Sequence, residues 1–247
     1  MDWLTLLALS SAPGACIILY IYLKDKYERE PVGLLVKSFA FGIVAVIVTF
    51  LISFPLDMLV PTDEEDLTQQ AVHAFLLVAL VEEFSKFIFV RGVLYHDAHF
   101  NEPFDGIVYS VLVSMGFATL ENILYVSQGG LTTALLRMFT AVPAHGTFAV
   151  LMGYYIGRAK FEEGRGYLSL FGLLSATLFH GAYDYFWFIS FVPGIWLGAI
   201  ASLVVGIWLA RKAIRIHQEA SPFRKTGDPD QQPAETKDPD SGSQGLS

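Results

Sequence analysis

Seven apolar stretches dominate the pattern of this chain: 3–23, 33–60, 71–90, 105–126, 132–157, 167–189 and 193–211. Each approaches or exceeds the ~20 residues a helix needs to cross the hydrocarbon of a bilayer. Stretches of this length and composition predict membrane-spanning helices. Pro55 in the second stretch predicts a kink or an early end, and Arg137, Pro143 and His145 interrupt the fifth. The expectation is an all-α, polytopic membrane helix bundle of about seven spans.

Lysine and arginine follow alternate spans. Lys24, Lys26 and Arg29 follow the first, Arg91 the third, Arg158, Lys160 and Arg165 the fifth, and Arg211, Lys212 and Arg215 the seventh. The other connectors hold Arg137 alone, and residues 61–70 are acidic. By the positive-inside rule the N-terminus lies outside and the C-terminus in the cytoplasm. The first stretch has no basic residue before it, so it reads as a retained span and not as a cleaved signal.

Composition agrees with this picture. Hydrophobic residues make up 53% of 247. The single cysteine, Cys16, excludes an intramolecular disulfide and any multi-cysteine metal site. The net charge of −8 comes largely from the tail and one loop, and no basic stripe with aromatics points to nucleic acid. Past residue 216 the chain turns rich in Pro, Asp, Gln and Ser. Two parts are therefore expected: a membrane domain over 1–216 and a disordered cytoplasmic tail over 217–247.

Ionisable residues inside the spans change the picture most. A charge at the bilayer centre costs at least ~2.5–3.5 kcal/mol on insertion scales, so such residues mark function. The third span carries Glu82, Glu83 and Lys86, the fourth Glu121 and Asn122, the fifth His145, and the sixth His180 and Asp184. Glu82 and Lys86 share a helix face, as do His180 and Asp184. Two adjacent carboxylates in a medium of low dielectric suit general-base work on water. Counting along each span puts Glu82, Glu121, His145 and His180 at similar depth, as convergence on one polar cavity requires. The same residue types also build proton relays, so a proton- or cation-coupled transporter is the alternative; the odd span count and lack of inverted repeats speak against it.

Several of these segments, taken in order, resemble the PrsW family of intramembrane proteases, related to the CaaX-protease (ABI) group. They are DKYEREP at 25–31, EEFSK at 82–86, FDGIVY at 104–109, FATLEN at 117–122, His145, and HGAYD at 180–184. The resemblance implies a multi-pass protein of a bacterial inner (plasma) membrane. It implies cleavage of a single-pass, membrane-anchored substrate, as in regulated proteolysis of an anti-sigma factor. It also implies catalytic roles for Glu82, Glu83, Glu121, His145 and His180, with Lys86, Asn122 and Asp184 in support. Two mechanisms stay open. Either His145 and His180, with Glu121, bind a zinc ion, or a glutamate activates water without metal.

Overall fold

The computed structural model describes residues 3–227. Its helices are α1 (Trp3–Lys24), α2 (Val32–Leu59), α3 (Leu67–Val72), α4 (Leu80–Gly92), α5 (Pro103–Phe139), α6 (Ala141–Phe161), α7 (Leu168–Phe188) and α8 (Leu197–Glu219). A π-helical stretch, His73–Ala79, joins α3 to α4 without a break. No strand occurs among the described residues. Trp3–Lys24, Val32–Leu59, Pro103–Phe161 and Leu197–Glu219 are long and apolar enough to cross a membrane. The chain is thus a multi-pass membrane helix bundle. The tail expected over 217–247 begins with the last turn of α8 and a 3₁₀ turn at Pro222–Gly227; its remainder lies outside the described residues.

The first half of α5 is the central rod, buried without interruption from Phe104 to Ala118. Glycines bring its neighbours close. A Cβ on Gly153 of α6 would stand 2.3 Å from the Gly106 carbonyl oxygen, and one on Gly116 would stand 2.0 Å from that of Phe39 in α2. Backbone cannot yield at such distances, so small residues are required at these crossings. Gly153→Ala should therefore destabilise the bundle by at least ~1–3 kcal/mol, seen as a lower thermal midpoint in detergent. The perimeter is apolar: Phe50, Leu51, Phe54 and Met58 of α2, with Val204 and Trp208 of α8, are exposed toward lipid.

Three local features depart from expectation. Pro55 neither ends nor interrupts α2, which continues to Leu59. The stretch expected as one span over 132–157 is divided. Gly130 adopts φ 67°, ψ −154°, a conformation open to glycine alone, and turns the chain so that the end of α5 packs separately before α6 starts at Ala141. The last helix starts at Leu197, after the Pro193–Gly194 turn, and runs past Arg211, Lys212 and Arg215 because a helix can continue beyond the hydrocarbon into water.

Candidate active site

The ionisable residues of α4, α5, α6 and α7 meet at one place in the interior. The π-helical stretch before α4 re-phases that helix, a local irregularity common at functional sites. Glu82, Glu83 and Lys86 consequently all lie buried, with Glu83 1% and Lys86 2% exposed. On α7, Gly181 lets the Phe75 ring approach closely, and His180 comes down beside Glu83.

Lys86 is the hub of the α4 side. Its ammonium donates to Glu83 Oε1 at 2.7 Å, and lies 3.5 Å from Glu82 Oε2 and 3.3 Å from His145 Nδ1. The Phe117 ring covers it, 4.1 Å from nitrogen to centroid. A buried ammonium needs such partners, since desolvation would otherwise expel or neutralise it.

The two imidazoles lie with ring centres 5.1 Å apart, nearly perpendicular. His145 Nε2 donates to Glu121 Oε2 at 3.0 Å, which leaves Nδ1 as the ring's acceptor nitrogen. His180 Nδ1 donates to Glu83 Oε1 at 2.9 Å. Its Nε2 faces Asp184 Oδ2 at 3.2 Å and Glu82 Oε2 at 3.9 Å. Phe148 stacks on His180, and the Ser114 hydroxyl donates to the His145 carbonyl. Each histidine is thus oriented through one nitrogen by a glutamate and turns the other toward the shared interior.

Arg137 went unrecognised as a site residue in the sequence, where it reads only as a break in the fifth span. The turn at Gly130 brings it back over the site. Its Nη2 donates to Glu121 Oε2 at 2.8 Å and its Nε to Asn122 Oδ1 at 2.8 Å, while Tyr125 packs against the guanidinium. Asn122 in turn donates to the Ser10 carbonyl, tying α1 to α5. A lone arginine within an apolar stretch, following a Glu–Asn pair, was the available signal.

All eight residues singled out in the sequence therefore lie in one connected network. Glu121 stands beside His145 and is also held by Arg137. The group whose donor atoms lie within 4.8 Å of one another is Glu82, His145 and His180. Two imidazole nitrogens and one carboxylate form a donor set that zinc accepts in catalytic sites. Second partners on the far nitrogens, here Glu121 and Glu83, are the usual supports of metal-binding histidines. The residues present fit such an ion. The Ser85 hydroxyl donates back to the Val81 carbonyl and takes no part in the site.

Residues 30–210 match the family described as PrsW family intramembrane metalloprotease. Among curated proteins, the chain is 37% identical over 222 residues to Protease PrsW of Geobacillus kaustophilus, covering 90% of this chain and 94% of that one. It is 36% identical to Protease PrsW of Bacillus subtilis, covering 80% and 88%. It is 33% identical to Protease PrsW of Clostridioides difficile, covering 76% and 81%. No solved structure matches it.

Proposed function

The chain belongs to the PrsW family of intramembrane metalloproteases, and we propose that its buried glutamate–histidine centre cuts a peptide bond of a single-pass membrane protein. That it is a peptide hydrolase of the membrane follows from the family; the division of labour below is our reading. Hydrolysis, not transport, is then the task of the intramembrane charges.

His145 through Nδ1, His180 through Nε2 and Glu82 through its carboxylate would hold the metal ion. Zinc at this donor set would supply Lewis acidity, polarising the scissile carbonyl and making water a stronger acid. Glu83 is the base. Its Oε1 is fixed by Lys86 and His180, while its Oε2 is buried and free of partners. That free oxygen takes the proton of the attacking water and later delivers it to the leaving amine. Lys86 steadies both glutamates of α4. Glu121, held by Arg137, fixes the ring plane and tautomer of His145. Glu83 Oε1 does the equivalent for His180 through Nδ1, and Asp184 faces Nε2 from the same helix.

The observation that carries this reading is the paired arrangement of the histidines, each held by a glutamate on one nitrogen and grouped with Glu82 around one point. The basic connectors support seven crossings with the N-terminus outside. Counting along the spans supports a site near mid-membrane, which a substrate helix would reach laterally, as in a regulated cascade. The test is cleavage of a tagged single-pass substrate by the full chain in liposomes. 1,10-Phenanthroline should abolish cleavage and added zinc restore it. Cleavage indifferent to the chelator would overturn the metal assignment.

A further inference from the structure

A second buried polar cluster lies 16 residues back along α5 from Glu121, about 24 Å at 1.5 Å per residue. There the connector between α1 and α2 meets the start of α5. Glu28, Glu30 and Asp105 each turn a carboxylate oxygen to within 4.8 Å of the others. Asp25 and Glu102 lie beside them, near enough for their charges to act on one another and on Glu30. These motif residues, from DKYEREP and the FDGIVY region, have no part in the proteolytic centre.

Burial makes the cluster unusual. Asp25 is 2% exposed, Glu30 3%, Glu102 1% and Asp105 0%. Each keeps one carboxylate oxygen buried and without a hydrogen-bond partner: Asp25 Oδ1, Glu30 Oε1, Glu102 Oε2 and Asp105 Oδ1. Glu28 Oε2 and Asn101 Oδ1 are in the same condition. The engaged oxygens have found donors, Asp105 Oδ2 the amides of Asn101 and Glu102, and Glu30 Oε2 the Tyr109 hydroxyl. No ion pair among the described residues reaches any of the five carboxylates. Orphaned, buried, acceptor-only groups gathered at one point cost several kcal/mol unless a positive charge joins them. Burial, then the charges of Glu102 and Glu30, push the Asp25 carboxyl up to about 7. Burial also raises Glu30 and Glu102.

We propose that Glu28, Glu30 and Asp105, with the neighbouring carboxylates of Asp25 and Glu102, form an all-oxygen site for a hard divalent cation, Ca²⁺ or Mg²⁺, that clips the α1–α2 connector to α5. Carboxylate oxygens without nitrogen or sulfur suit these ions and set this site apart from the histidine centre. The ion would fix the first two helices against the central rod, a role independent of the proteolytic reading.

Thermal unfolding of the full chain in detergent, followed by tryptophan fluorescence, tests this. Relative to EDTA, a saturating excess of CaCl₂ or MgCl₂ should raise the midpoint by roughly 5–10 °C, and the larger shift identifies the ion. Glu30→Gln and Asp105→Asn should lose the response while melting in EDTA no lower than the native chain. His180→Ala should keep it. Terbium luminescence excited through Tyr109, and weakened by Tyr109→Phe, reports the same site without carboxylate variants. An unchanged native midpoint with both salts overturns the proposal, as does a response lost in His180→Ala. A midpoint that rises only with acidity, whatever the salt, means that protons and not a cation neutralise the cluster.

Discussion

Glu83→Gln should lower cleavage by about 10²- to 10⁴-fold, the usual contribution of a positioned general base, while zinc content stays near that of the native chain. The substitution is isosteric, and the amide oxygen can still accept from Lys86, which sits 2.7 Å from Glu83 Oε1. What is lost is the basicity of Oε2. Lys86 keeps Glu82 at 3.5 Å as a counter-charge, so the buried ammonium is not abandoned, although some stability goes with the lost charge. Single-turnover cleavage in liposomes, read beside metal analysis of the same sample, separates the base from the ligands. Substantial activity in this variant would move the base elsewhere, Asp184 being the next carboxylate at hand.

His145→Ala and His180→Ala should each remove both metal and activity. With one imidazole gone, the donor group is left with a single nitrogen and a carboxylate, too few for a closed zinc set. Glu121→Gln should behave differently. Its oxygen can still accept from Arg137 and His145 at the observed 2.8 and 3.0 Å, but a neutral partner orients and polarises the imidazole less. A loss of about 10- to 100-fold in zinc affinity or rate is expected, typical of such supporting partners. Zinc titration of purified variants, compared with their cleavage rates, resolves the two classes.

Much of this arrangement was legible in the chain because hydrocarbon penalises stray charges. Glu82, Glu83, Lys86, His145, His180 and Asp184 stand out against apolar neighbours, and helical spacing alone pairs Glu82 with Lys86 and His180 with Asp184. Helices α1, α2 and α7 lie close to the apolar stretches 3–23, 33–60 and 167–189, since backbone hydrogen bonds must be satisfied within each segment. What periodicity could not give was anything set by a single residue's backbone or by contact between helices. Gly130 is one glycine of an ordinary pair, yet its positive φ folds Arg137 over Glu121. The π-helical turn before α4 leaves no mark in composition, though it sets which way Glu82 and Glu83 face. The grouping of Glu82 with the two histidines, and of Glu121 with Arg137 and His145, rests on long-range contacts. Nothing in the sequence pattern marks the acidic residues of the α1–α2 connector as buried, because burial of a connector under α5 is a tertiary event.

The central claim is that α4, α6 and α7 each lend one donor to a single ion. X-ray absorption at the zinc edge, on the full chain loaded with one equivalent of zinc in lipid, measures this directly. The account predicts two imidazole nitrogens and at least one carboxylate oxygen at ~2.0–2.2 Å, with this imidazole-bound zinc signal lost in His145→Ala and in His180→Ala. A shell of oxygen alone, or a spectrum unchanged by both substitutions, would contradict it.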